Sequence, residues 1–214
     1  MASYLVIGLG RFGSSLAQRL TELGNEVMAI DKNEETINRI VPHVTQAKIG
    51  DCMDEAVLHS LGVESFDTCF VCTSEQFQSS LEITSLLKEM GASHVVSKSD
   101  LGLHSRLLKK IGADEVIFPE YDMAYRTAMR FSVNGALEYI ELSPGYGIFE
   151  LDIPEGWNGK TIAELDIRKN YNVNIIGVKE GGVVTPITSG GHTFRSGDHV
   201  VLAGSNEDVI RMAK

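Results

Sequence analysis

The stretch Tyr4-Leu5-Val6-Ile7-Gly8-Leu9-Gly10-Arg11-Phe12-Gly13 decides the fold. Its first four residues are apolar and half of them β-branched, the composition of a strand buried on both faces. Phe12, Leu16, Leu20 and Leu23 then recur at helical spacing, so a helix is expected over residues 12–23 with those four side chains turned inward and Gly24 as its stop. Between strand and helix stands Gly8-x-Gly10-x-x-Gly13. Alone, three glycines say little. Placed after a strand and at the opening of a helix, each has a task. Gly8 permits the tight turn, Gly10 lets a pyrophosphate approach the backbone, and Gly13 lets helix pack on strand. The helix start offers unpaired N–H groups and partial positive charge, so phosphate is the expected occupant.

Working outward, short apolar runs alternate with helical periodicity. Strands are expected at 26–30, 45–49, 68–72, 94–97 and 115–118. Helices are expected from Asn33 onward with Ile37, Ile40 and Val41 inward, at 55–61, at 76–90 with Leu81, Ile83, Leu86, Leu87 and Met90 inward, at 103–111 and at 121–133. Six strands alternating with helices define an α/β fold, a Rossmann-type doubly wound parallel sheet. Near residue 134 the character changes. Asn134-Gly135 breaks the helix, glycines become frequent, and β-branched runs recur at 147–153, 173–178, 183–187 and 199–202, with short helices at 162–166 and 208–213. The expected organisation is a nucleotide-binding domain over 1–134, then a hinge and a small α+β module over 135–214.

Asp31 lies 18 residues after Gly13, at the end of the second strand. An acid there accepts from ribose 2′- and 3′-hydroxyls and repels a 2′-phosphate, which disfavours NADP. Asp51 ends the third strand beside Gly50. It is suited either to accept from an adenine amino group or to cap the next helix. Arg11 adds little to a nicotinamide site but suits the extra charge of a triphosphate. Lys98 follows the fifth strand on the same carboxyl edge. Lys32, Cys52, Thr73 and Phe12 complete the expected contacts of this site.

The formal net charge of −10 argues against nucleic acid as a partner, because phosphate backbones are bound by clustered Lys and Arg. No apolar run reaches the roughly 20 residues of a membrane span, and the start has no charged leader, so a cytosolic location is expected. The three cysteines are expected as free thiols. Cys69 and Cys72 form a C-x-x-C, but residues three apart on a strand face opposite sides and cannot easily share a metal or a disulfide. The rival class is an NAD-dependent oxidoreductase. It would need an acid–base group facing the nicotinamide. None of His43, His59, His94, His104, His192 and His199 stands in a recognisable catalytic grouping.

Several stretches resemble the RCK (regulator of potassium conductance) family, and within it the KtrA/TrkA-type cytosolic subunits of bacterial potassium uptake systems. They are Gly8–Gly13, Gly50-Asp51-Cys52-Met53-Asp54-Glu55, Ile111-Gly112-Ala113-Asp114-Glu115-Val116, Pro119-Glu120-Tyr121-Asp122-Met123-Ala124 and Gly197-Asp198-His199-Val200-Val201-Leu202-Ala203-Gly204. The resemblance spans the chain. It departs at Cys52-Met53, where relatives often carry small residues, and at Ala124, where glycine is common. It implies a homodimer assembling to an octameric ring beneath a membrane-embedded potassium transporter, with ATP, ADP or NAD(H) at the carboxyl edge of each sheet. It further implies that Arg11 reaches a γ-phosphate across a subunit interface and that Glu120 helps hold a cation near the nucleotides. The C-terminal module of many relatives of this type binds cyclic di-AMP between two subunits, and Arg168, Asn174, Ile175 and Ile176 stand where such contacts would fall. An RCK-type regulator of a channel or an antiporter is the nearest alternative.

Overall fold

The computed structural model describes residues 1–73 and 77–214, and the chain forms two compact units, Met1–Tyr121 and Asp122–Lys214. In the first unit strands β1 (Ser3–Ile7), β2 (Glu26–Asp31), β3 (Gln46–Ile49), β4 (Thr68–Val71), β5 (Val95–Lys98) and β6 (Glu115–Ile117) alternate with helices α1 (Arg11–Glu22), α2 (Glu34–Ile40), α3 (Glu55–His59), α4 (Phe77–Glu89) and α5 (Gly102–Lys110). The six strands pair in the order β3-β2-β1-β4-β5-β6, every pair parallel. This is the expected doubly wound sheet. Its strand order reverses at β1, which pairs with β2 on one side and β4 on the other, and ligands of such sheets lie outside the strand ends at that point. The expected helical start at Gln76 lies outside the described residues.

Alternation along the strands feeds two cores, one on each face. Leu5, Ile7, Ile30, Cys69 and Val71 pack on one side with Leu58, Ile83 and Leu87, while Val6, Val27, Ala29 and Cys72 pack on the other with Ala17, Ile37 and Ile40. Cys69 and Cys72 thus occupy opposite faces. All three cysteines are buried free thiols, each pushed up to about 12 by burial, so they remain neutral and inert.

Two inward assignments need correction. Leu23 is 70% exposed, because it is the C-cap of α1 and Gly24 turns the chain away at φ +85°. Val41 is 52% exposed, because Pro42 ends α2 there and the chain enters a short 3-10 turn at Val41–His43.

Helix α6 (Pro119–Ser132) contains the division between the units. The second unit holds strands β7 (Ala136–Ser143), β8 (Tyr146–Asp152), β9 (Asn174–Glu180), β10 (Val183–Pro186) and β11 (His199–Ser205), with short helices α7 (Ile162–Leu165), α8 (Ile167–Tyr171) and α9 (Asn206–Met212). Its sheet is antiparallel, in the order β10-β9-β11-β8-β7. Tyr139, Phe149, Trp157, Phe194, Val200 and Leu202 form its core, and Tyr125 and Met129 of α6 pack there too. Strand-rich sequence therefore begins near residue 134, whereas the packing unit begins earlier, at Asp122 within α6.

Candidate functional site

The glycine loop takes the conformation its spacing suggests. Gly8 has φ +87°, and a Cβ there would meet Thr73 at 2.8 Å. A Cβ on Gly13 would lie 2.0 Å from the Gly8 carbonyl oxygen, so only glycine lets α1 sit this close to β1. Around Gly10 the situation is the reverse, with nothing within 4 Å of a Cβ. The middle glycine faces open space.

The start of α1 is chemically open as well. Its N-cap is Gly10, which supplies no capping side chain, and its first turn has no acidic residue. By contrast Asn33, Asp54, Thr161 and Ser205 cap α2, α3, α7 and α9 with their own side chains. An uncapped helix start leaves N–H donors and partial positive charge for an anion.

A cleft opens there at the carboxyl edge of the sheet. It is lined by Ile7, Gly8, Gly10, Ile30, Asp31, Lys32, Gly50, Asp51, Cys52, Met53, Cys72, Thr73, Ser79 and Ile83. Of the residues expected at the site, Gly8, Gly10, Asp31, Lys32, Asp51, Cys52 and Thr73 meet in this cleft. The Asp31 carboxylate ties its two sides together, accepting from the Leu9 N–H at 2.7 Å through Oδ2 and from the Asn33 N–H at 2.9 Å through Oδ1. A carboxylate oxygen has more than one lone pair, so both retain capacity for a ribose hydroxyl. Asp51 accepts from the Met53 N–H at 3.0 Å, closing its own turn, while α3 is capped by Asp54. Thr73 Oγ1 and Ser80 Oγ share a hydrogen bond at 3.1 Å.

Other expected residues stand outside the cleft. Arg11 is exposed at the first position of α1, and Phe12 packs into the core beneath that helix. Gly13 is buried at the strand–helix contact. Lys98, its side chain 7% exposed, donates to Glu120 Oε1 at 2.6 Å and lies 3.7 Å from Asp100. The Lys98 hydrogen bond holds the Glu120 carboxyl below the usual carboxylate range. Lys98 therefore ends in an ion pair, not in bulk solvent. In the second unit Arg168 Nε donates to Asn174 Oδ1 at 2.7 Å. The pairing of β9 with β11 skips from Gly177 to Ile175, so Ile176 is the extra residue of a bulge and is exposed, while Ile175 packs on the core.

The sequence reading missed Ile7, Ile30, Gly50, Met53, Cys72, Ser79 and Ile83 as cleft residues. Ile7, Ile30 and Gly50 had a usable signal, because each ends or follows a strand that the topology brings to this edge. Ser79 and Ile83 had none, since their presence depends on the rotation of α4.

Residues 4–119 match the TrkA-N domain family and residues 148–214 the TrkA-C domain family. Ktr system potassium uptake protein C of Bacillus subtilis (strain 168) is 38% identical over 213 residues, which cover 99% of this chain and 96% of that protein. The GsuK RCK domain structure superposes on 99% of the chain with a TM-score of 0.68 at 22% identity, and the GsuK channel bound to NAD does so over 99% with a TM-score of 0.67 at 21% identity. The chain spans 47% and 38% of those two GsuK chains, and at such identities the likeness is one of fold. The chain belongs to the family of potassium uptake proteins built from a TrkA-N and a TrkA-C domain.

Proposed function

We propose that this chain is a nucleotide-sensing regulatory subunit of a potassium uptake system, and that an adenine nucleotide binds in the cleft at the carboxyl edge of the parallel sheet. The observation that carries this is the uncapped start of α1 at Gly10, open to the cleft, with the Asp31 carboxylate opposite. Phosphates would take the N–H groups of the α1 start, and the ribose would take the remaining lone pairs of Asp31. Thr73 Oγ1 supplies a further polar contact. Nothing in this set activates a nucleophile. Binding, not turnover, is what such residues provide, and the potassium uptake assignment of the full-length relative agrees with a regulatory role.

Arg11, exposed beside the phosphate position, would read a third phosphate, with a cation held near Glu120. That cation would compete with Lys98 for Glu120 Oε1, so it would bind weakly unless a phosphate supplied further ligands. ATP and ADP would then favour different shapes of a homo-oligomeric ring, formed from dimers, that gates a membrane-embedded transporter from its cytoplasmic face. NAD(H) is the second ligand to test in the same cleft, because the GsuK channel of the same fold was solved bound to NAD. In the C-terminal module the Arg168–Asn174 pair and the exposed Ile176 offer a phosphate contact and an apolar face to cyclic di-AMP.

The test is calorimetric titration of the purified chain with ATP, ADP, NADH and NADP. Binding of the first three with NADP weakest supports the reading. An absence of binding by all four overturns it. Oxidation of NADH with any acceptor would move the chain to the oxidoreductase class.

A further inference from the structure

In the second unit Glu180 ends β9, His192 lies in the segment between β10 and β11, and Asp198 immediately precedes β11. One potential ligand atom from each lies within 4.8 Å of the other two, and among the described residues no other group of three or more His, Cys, Asp or Glu side chains has this arrangement. A second observation points into it. His192 Nε2 is buried without a hydrogen-bond partner among the described residues, 3.7 Å from Asp198 Oδ2. A buried imidazole nitrogen without a partner loses its water and gains nothing in return. The ring stands edge-on to the buried Phe194 at 5.3 Å between centroids, a contact that it would lose by turning outward. Asp198 is itself buried and fixed, because it accepts from the Arg195 N–H at 2.7 Å. Glu180 is exposed and free to adjust.

We propose that Glu180, His192 and Asp198 bind a borderline divalent cation of the Zn2+ class and so clip the segment between β10 and β11 to the end of β9. Imidazole nitrogen and carboxylate oxygen are both Zn2+ ligands, and three of them leave a fourth tetrahedral position to water. Ligands about 2.0–2.1 Å from zinc in a tetrahedron stand about 3.4 Å apart. His192 and Asp198 already approach that separation, and a rotation of Glu180 closes the third side. Mg2+ and Ca2+, which prefer oxygen ligands only, match the set poorly. The other His–carboxylate group in this unit is less suited. His199 lies 3.2 Å from Glu150 and 3.5 Å from Asp152, but Lys179 already holds Glu150 at 2.8 Å. The three thiols are buried in the first unit and offer no competing site.

The experiment is calorimetric titration of the chelator-stripped full-length protein with ZnCl2, and separately with MgCl2 and CaCl2. The expected result is one Zn2+ per chain, bound far more tightly than Mg2+ or Ca2+. Glu180→Gln and His192→Gln should each weaken it at least tenfold, and His199→Gln should leave it unchanged. Glu180 is exposed, so its variant keeps the fold and decides the matter even if His192→Gln does not fold. No Zn2+ binding by the wild type, equal binding by wild type and Glu180→Gln, or loss of binding in His199→Gln would each overturn the site.

Discussion

Gly10 and Gly13 stand three residues apart in the same loop, yet their substitutions should fail in opposite ways. A side chain at Gly10 enters open space, so Gly10→Asp should fold normally. Its carboxylate would occupy the anion position at the start of α1 and repel phosphate. Adenine nucleotide affinity should then vanish in calorimetry while Tm stays within a degree or two of the wild type. Unchanged affinity would sink the site assignment. Gly13→Ala places a Cβ 2.0 Å from a backbone oxygen. Forced overpacking of this kind costs about 1–3 kcal/mol or more, a fall of roughly 2–12 °C in Tm. A Gly13→Ala protein as stable as the wild type would contradict the described packing of α1 on β1. Arg11 is the third residue-scale case. Losing a charge-assisted hydrogen bond costs about 1.5–3 kcal/mol, so Arg11→Ala should weaken ATP relative to ADP by about tenfold or more. Equal losses for both nucleotides would restrict Arg11 to the phosphates they share.

Between elements, the Lys98–Glu120 pair joins the end of β5 to the first turn of α6. The Glu120 carboxyl is held below its usual range by Lys98. Its contribution is therefore fully present above the ordinary carboxyl pKa of the unfolded chain, and it is lost as pH falls through the lower folded value. Glu120→Gln should be less stable than the wild type at pH 7, because among the described residues it leaves the buried Lys98 with Asp100, at 3.7 Å, as its one carboxylate partner. The gap should close as the pH is lowered from 7 into the acid range, where the wild-type carboxylate protonates. Denaturant melts of both proteins across that range would check this, and a gap that stays constant with pH would show that the pair contributes nothing through its charge. In the other unit, Arg168→Ala should abolish any calorimetric signal with cyclic di-AMP while sparing ATP. Retained cyclic di-AMP binding would remove Arg168 from that site.

What could be read from the sequence follows from range. The β1–α1 turn was legible because everything it needs lies within ten residues. Asp31 was legible because a strand end is a position that the topology assigns. Leu23 and Val41 misled because helical periodicity continues past the point where Gly24 and Pro42 end the helix. Helix α8 was invisible because Asp166 and Asn172, both at positive φ, confine it to five residues. The Lys98–Glu120 pair joins residues 22 apart, and the Glu180–His192–Asp198 group depends on how a loop closes, so neither left a local pattern.

On the proposed reading, the whole molecule converts nucleotide identity into a change of shape. A ligand moves a conformational equilibrium only through its unequal affinity for the two states. ATP and ADP share every group except the third phosphate, so only contacts to that phosphate can discriminate between them. A typical coupling of about 1–3 kcal/mol changes a population about 5- to 150-fold, enough to gate a transporter without any chemistry on the nucleotide. On the proposed reading, such a regulator grips its partner as a repeated assembly. Among the described residues no helix is long and apolar enough to cross a membrane. Light scattering is expected to find at least a homodimer, rising to an octamer in the working complex. Monomer alone at high concentration, with and without nucleotide, would count against this.

Potassium flux into vesicles reconstituted with the membrane transport subunit and this chain reports directly on nucleotide sensing. With the wild-type chain, ATP should raise the flux above its level with ADP, and Gly10→Asp should give one flux whichever nucleotide is present. Equal flux with ATP and ADP for the wild type, or an undiminished ATP response in Gly10→Asp, would contradict the proposal that the cleft at Gly10 is where nucleotide state is sensed.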